Sequence, residues 1–305
     1  MLFGGIEAGG TKCVAIVGTG PDDVRAEVRV PTTSPGETLG ALVRFFEAQR
    51  DTHGPLDAIG IGSFGPVDLR TDSPRWGWIT STPKPGWADT DVAGPFRQAF
   101  GVPVGFDTDV NAAALGEWRH GAARGLDTFV YLTVGTGIGG GGMVGGRMLH
   151  GLVHPEMGHV RVPHDRGADP FAGSCPFHGD CLEGLASGPA MAARWGQPAD
   201  TLPSGHPAWA LEARYLAAAL HGIVCTVSPQ RLILGGGVMS ESSLLRLVRA
   251  ELARGLNGYI QAPELSGRLD DYVVAPGLGS RSGVIGALVL AEHAHASASS
   301  PDLTA

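Results

Sequence analysis

The sequence predicts an α/β protein with two lobes, each a mixed sheet flanked by helices. Three observations predict it. At 305 residues the chain exceeds what one minimal core organises. A strand–glycine turn–strand pattern occurs near the start and again near residue 128. A third apolar run, near residue 231, feeds another glycine turn and then a helix. The 48 glycines have no collagen-like period, and most follow apolar runs, where tight turns lie.

In chain order, residues 3–18 read as two short strands broken by Glu7-Ala-Gly9-Gly10-Thr11-Lys12. Leu39, Leu42, Val43 and Phe46 stand at helical spacing and predict a helix over 37–49. The apolar run 56–61 predicts a strand ending in the loop Gly62-Ser-Phe-Gly65-Pro. Residues 69–87 are rich in Pro, Gly, Ser and Thr, hold three tryptophans, and predict a loop with room for a hairpin. Residues 102–106 predict a strand, and 112–120 carry strong helix formers. A strand over 128–134 leads into the glycine turn 135–142 and a second strand. Residues 231–234 predict a strand into Gly235-Gly236-Gly237, with a helix expected from near Glu241 and Ser240 as its N-cap. A last helix near 281–293 is expected to return to the first lobe, placed at 1–115, with the second lobe at 116–280. Residues 294–305 are expected to fray.

The formal net charge of −8 argues against nucleic acid or an anionic membrane as the main partner. It leaves room for a phosphorylated ligand, because backbone N–H groups bind phosphate without a positive protein. No basic region followed by an apolar stretch opens the chain, so no signal peptide is expected. No apolar run approaches the roughly 18 residues of a spanning helix. Four cysteines do not suggest a disulfide framework, and Cys13 and Cys225, in apolar runs, are expected in the core. The expected location is the cytoplasm.

A glycine turn lets consecutive N–H groups converge on an anion, since no side chain blocks the approach. Gly9-Gly10-Thr11-Lys12 adds a hydroxyl and a cation, and Thr136 supplies a hydroxyl between Gly135 and Gly137. A single such turn is as readily a plain hairpin; three, each after an apolar strand, point to phosphate binding. Residues 135–140 match G-x-G-x-x-G, but that motif must open a helix, and the chain continues glycine-rich and strand-like. No Walker string is present.

Asp109 stands at a strand-to-helix junction, where it either caps the helix or presents a base to a cleft. The helix N-terminus is expected to keep it ionised, and Asp107 competes for the same role. Cys175, His178 and Cys181 follow C-x2-H-x2-C spacing, with His159 sixteen residues upstream. Two thiolates and two imidazoles suit tetrahedral Zn²⁺ in a closed structural site. Two free thiols in a loop are the alternative, and His154, His164 or Asp165 could replace a ligand.

With these residues in place, the chain resembles the ROK family of sugar kinases, within the actin/hexokinase-like fold of RNase H-like lobes. The resemblance runs over nearly the whole chain. It is carried by Glu7–Lys12, the Gly62–Asp68 loop, Thr108-Asp109-Val-Asn111, Gly135–Gly139, His154-Pro-Glu156-Met-Gly-His159, the cysteine cluster with Glu183, and Gly235–Gly237. Two departures stand out: Glu7 replaces the usual Asp, and Cys175-Pro-Phe-His178-Gly-Asp-Cys181 replaces C-x-C-G-x-x-G-C. Together with the Gly62–Asp68 loop, they look like the family's bacterial fructokinase branch.

The resemblance implies ATP-dependent phosphorylation of D-fructose at its 6-hydroxyl, with Asp109 as general base. It implies sugar contacts from Gly65, Asn111, Glu156, His159 and Glu183, with His159 also a zinc ligand. ATP would be held by Gly9, Gly10, Thr11, Lys12, Thr136, Gly137, Pro189, Gly235, Gly236 and Gly237, in a cleft that closes over it. Glu7 would act through water on Mg²⁺. A homodimer is compatible with the resemblance, and glucose, mannose or allose remain open as substrates. A sugar-responsive repressor would need an N-terminal helix-turn-helix, for which no room is expected before residue 3. An actin-like filament subunit should lack the zinc cluster and Asp109-Val-Asn111.

Overall fold

The computed structural model describes residues 1–299. They form two compact units, one of residues 1–124 and 148–155 with the chain from Arg281, the other of 125–147 and 156–280. The first boundary falls at 124 rather than 115. Glu117, fully buried, accepts from Ala122 N–H and from the hydroxyl of Ser282, both at 2.7 Å, and so ties the end of its helix into the first unit.

In the first unit, β1 (Phe3–Ala8), β2 (Lys12–Gly20) and β3 (Asp23–Pro31) form an antiparallel meander. Helix α1 (Pro35–His53) follows, opened by Ser34, whose hydroxyl accepts from Glu37 N–H and donates to the Glu37 carboxylate at 2.8 Å. Strand β4 (Ala58–Ser63) then pairs parallel to β1. The loop after it holds a two-residue pairing of β5 (Trp78–Ile79) with β6 (Thr90–Asp91), followed by α2 (Gly94–Phe100). The loop is pinned by Trp87, which is fully buried and donates its indole N–H to Thr33 O at 2.7 Å. Strand β7 (Val104–Thr108) runs into α3 (Asp109–His120), giving the sheet order β3-β2-β1-β4-β7.

The C-terminal helix, Ser282–Ser299, packs on this sheet and on α3. It lies so close that a Cβ on Gly286 would sit 1.6 Å from Ala112 O, and one on Gly60 1.9 Å from Ala287 O. The helix runs on through residues 294–299, where a frayed tail was expected; residues 300–305 lie outside the described residues. Its length follows from ten consecutive buried residues, Ser282 to Ala291, which anchor it before the exposed end begins.

The second unit repeats the plan. β8 (Phe129–Val134), β9 (Ile138–Val144) and β10 (Arg147–Met148) are joined by β11 (Leu232–Gly235), parallel to β8, and β12 (Val273–Val274), parallel to β11. The order is β10-β9-β8-β11-β12, the same three-plus-two arrangement as in the first sheet. Its helices are α4 (Leu182–Ala186), α5 (Gly188–Trp195), α6 (Pro207–Val227) and α7 (Leu244–Leu256), with two single turns near 263–272. Helix α7 begins at 244, not near 241. The Ser240 hydroxyl donates to Gly237 O at 2.7 Å within a 3-10 turn, Val238–Ser240, so it caps nothing. Helix α6 has the length and mean hydropathy of a membrane span, although it contains Glu212 and Arg214 and half of its most apolar stretch is buried within the unit. Cys13 is buried as expected, but Cys225 is exposed on α6, with its Sγ 3.9 Å from His221 Nε2.

Candidate active site and metal centre

In the first unit, the carboxylates gather where the parallel strands end. Asp109 is the first residue of α3, but the cap is Thr108, whose hydroxyl accepts from Asn111 N–H at 3.1 Å. Asp109 is therefore not spent on capping. Its Oδ1 accepts its neighbour's amide, Val110 N–H, at 2.9 Å. Burial raises its pKa to about 6, against the opposing pull of the Val110 and Asp109 amides. The expected effect of the helix N-terminus is present and is outweighed.

Glu7, near the end of β1, is raised further, to about 7, first by burial and then by the charge of Asp109. Lys12, Val284 N–H and Arg29 pull the other way. Gly62 stands between the strands that carry these carboxylates, since β1 aligns Glu7 with Gly62 and β4 aligns Gly62 with Asp107, two residues before Asp109. A Cβ on Gly62 would lie 3.3 Å from the Asp109 Cα, and one on Gly283 only 2.5 Å from the Glu7 carboxyl carbon. Glycine at both positions leaves room for two carboxylates.

The first glycine turn closes by Gly9 N–H to Lys12 O at 3.1 Å and leaves Thr11 and Lys12 exposed. It is backed by Thr32, whose hydroxyl donates to Gly9 O at 2.6 Å and whose N–H donates to Thr11 O at 2.9 Å. Gly65 lies in the loop after β4, and Asn111 is buried against Asp107, to which its amide donates at 2.8 Å.

The second unit brings the other turns together. Gly135 N–H donates to Gly137 O at 2.9 Å, and Gly188 N–H, at the start of α5 beside Pro189, donates to Gly135 O at 2.8 Å. Thr136 is exposed at the tip. Glu183 Oε2 accepts Ile138 N–H at 2.9 Å and occupies the space that a Cβ on Gly137 would need, 2.7 Å away. Gly236 has φ +94° and would clash with Val134 O at 2.3 Å if it carried a Cβ; only glycine fits there. Glu183, expected from the sequence as a sugar contact, is placed by the structure against the second glycine turn.

The four metal-ligand candidates converge in the same unit. The donor atoms of His159, Cys175, His178 and Cys181 all lie within 4.8 Å of one another. The two Nδ1 atoms are 3.3 Å apart, Cys181 Sγ is 3.5 Å from His159 Nδ1, and Cys175 Sγ is 3.6 Å and 3.8 Å from the two imidazoles. Burial, with Cys175 beside it, pushes the Cys181 thiol well up, so thiolates here need a cation. His154 and His164 point elsewhere. His154 Nε2 accepts Val67 N–H at 3.0 Å, and His164 lies between Asp180 and Asp169 O. His159 turns its other nitrogen, Nε2, toward Glu156 at 4.0 Å.

Comparison with known proteins agrees with this geometry. A model of the ROK family matches residues 3–294. The fructokinase of Zymomonas mobilis is 45% identical over 296 residues, covering 95% of this chain and 96% of that protein. The fructokinase of Pediococcus pentosaceus is 42% identical, covering 96% and 99%. The ROK hexokinase of Thermus thermophilus superposes with a TM-score of 0.75 at 30% identity, over 96% of this chain and 98% of that one. Two three-plus-two sheets, each carrying glycine turns, thus form the α/β actin/hexokinase-like fold. The chain belongs to the ROK family.

Proposed function

We propose that this chain is a cytoplasmic, ATP-dependent fructokinase that transfers the γ-phosphoryl group to the 6-hydroxyl of D-fructose. The observation that carries the substrate is the identity of 42–45% to fructokinases over nearly the whole chain. In the reaction the O6 atom attacks the γ-phosphorus, ADP departs, and Asp109 takes the hydroxyl proton. Its carboxyl, raised to about 6, is ionised near neutrality yet basic enough to share a proton, which suits a general base. The turns at Gly9–Lys12, Gly135–Gly137 and Gly235–Gly237 bind ATP through backbone N–H groups, and Pro189, which has no N–H, adds an apolar contact. Gly65, Asn111, Glu156, His159 and Glu183 bind the sugar.

Mg²⁺ accompanies the ATP and spreads the phosphate charge. Glu7 fits its water shell, because a carboxylate crowded by Asp109 gains from a nearby cation. The Cys/His cluster fits Zn²⁺. A tetrahedral zinc with Zn–N about 2.05 Å and Zn–S about 2.3 Å has edges of roughly 3.4 Å between nitrogens and roughly 3.6 Å between nitrogen and sulfur. The observed 3.3 Å, and 3.5–3.8 Å, match those edges.

The test is Asp109→Asn, which keeps shape while removing the proton acceptor. It should lower kcat by about 10²–10⁴ without lowering the melting temperature. Asp107→Asn should stay within about tenfold of wild type, roughly 1.4 kcal/mol of barrier. If Asp107→Asn is the dead variant instead, the two roles are reversed. If both stay active, no base lies in this motif.

A further inference from the structure

The segment 148–155 interrupts the second unit in sequence and belongs to the first in space. It carries two histidines four residues apart, one bonded to the loop after β4 and the other to the end of β7, beside the proposed sugar site. His154 Nε2 accepts Val67 N–H at 3.0 Å, and its ring lies 3.5 Å from where a Cβ on Gly65 would be. Burial holds its pKa down, which suits an accepting neutral ring. His150 Nε2 lies 2.9 Å from Asp107 Oδ2. The other oxygen of Asp107 accepts from Asn111 Nδ2 at 2.8 Å and from Thr108 N–H at 2.7 Å.

These bonds form a directional chain. Asp107 is buried, and a carboxylate only accepts, so each group facing it must be a donor. An asparagine amide can sit in either of two flipped orientations. Facing Asp107, Asn111 must turn its NH₂ inward, which fixes the side that carries its acceptor oxygen. The bond to Asp107 raises the His150 pKa and makes the contact charge-assisted. His150 is half-exposed, while Asp107 is closed in, so the histidine is the outer end of the chain.

We propose that His150 is a positioning residue for the sugar: by holding Asp107 it orients the Asn111 amide and sets hexose affinity. The inference rests on the reading of this chain as a hexose kinase. Wild-type turnover of fructose checks that reading separately, before any variant is compared.

The experiment measures kcat and KM for fructose in His150→Ala, His150→Gln, Asn111→Ala and the double variant His150→Ala/Asn111→Ala. A hydrogen bond to a charged group corresponds to roughly tenfold or more. His150→Ala should raise the fructose KM about tenfold, with a smaller change in kcat and none in the KM for ATP. Glutamine places its amide nitrogen where Nε2 stood, so His150→Gln should return KM to within about threefold of wild type. In the Asn111→Ala background, His150→Ala should add little, because the residue it acts through is gone. A fructose KM unchanged in His150→Ala would overturn the proposal. So would a glutamine variant no better than alanine, or a His150→Ala effect undiminished without the Asn111 side chain. If the alanine variant fails to fold, His150→Leu, which keeps bulk but donates nothing, replaces it in the single variant and in the Asn111→Ala background.

Discussion

At the residue scale, the account turns on two carboxylates that share one neighbourhood. Glu7 and Asp109 are raised to about 7 and about 6, in both cases mainly by burial. For activity the sign is simple: Asp109 as the proposed base must be ionised, so kcat/KM should rise with pH through about 6 to 7 and then level. For stability it is opposite. A carboxyl whose folded pKa exceeds its unfolded value holds its proton more tightly when folded, so stability is full at low pH and falls as pH rises from about 4.5 through 7. Glu7→Gln removes that loss. In Mg²⁺-free buffer at pH 8 it should be more stable than wild type, by at most about 3 kcal/mol, and the gain should vanish near pH 4.5. Equal melting curves at both pH values would contradict the burial of Glu7. Asp109 stood out in the sequence by its strand-to-helix junction and by the resemblance, and the structure places it at the start of α3. Whether it capped the helix was not legible there, because Thr108 and Asp109 are both good caps and only the geometry tells which oxygen meets Asn111 N–H. His150 carried no local signal at all; its role depends on meeting Asp107 across 43 residues of chain.

At the element scale, the Cys/His loop and the C-terminal helix make contrasting predictions. The loop between His159 and Cys181 has little core of its own and is turn-rich, so the proposed metal would serve to order it. One zinc per chain should co-purify. Cys175→Ser should lose it, lower the melting temperature and raise the fructose KM, since Glu183 stands two residues beyond Cys181 and props the turn at Ile138. Zinc retained in full by Cys175→Ser, or absent from a native preparation by metal analysis, would contradict this. The C-terminal helix needs no metal, but it needs glycine. Gly286→Val would drive its side chain into the Ala112 carbonyl, and overpacking of this kind costs about 1–3 kcal/mol or more, read as a lower midpoint in urea. Strand β3 escaped the sequence reading although Val24, Ala26, Val28 and Val30 alternate as a half-buried strand should. The charged residues between them, on the solvent side of a sheet edge, hid the pattern. The start of α7 was misplaced for a related reason: Ser240 looks like a cap, yet its hydroxyl is taken by Gly237 O.

At the scale of the whole molecule, the duplicated layout of glycine turns proved the strongest sequence signal. It corresponds to two sheets with the same strand order, three antiparallel strands and two parallel ones in each. The return of the C-terminal helix to the first unit was expected from the sequence, whereas the crossing of 148–155 was not, because that segment joins the first unit through bonds such as His154 to Val67 and His150 to Asp107, invisible in local composition. The central claim is a statement about the intact enzyme, and one assay tests it most directly. Purified protein with Mg-ATP is offered D-fructose and D-glucose side by side at equal, sub-saturating concentrations, and ADP release is followed together with the sugar phosphate formed. The account predicts fructose 6-phosphate in step with ADP, and a kcat/KM for fructose at least about tenfold above that for glucose, equivalent to 1.4 kcal/mol of transition-state discrimination. Glucose turned over faster than fructose, or ADP released without any sugar phosphate, would contradict it.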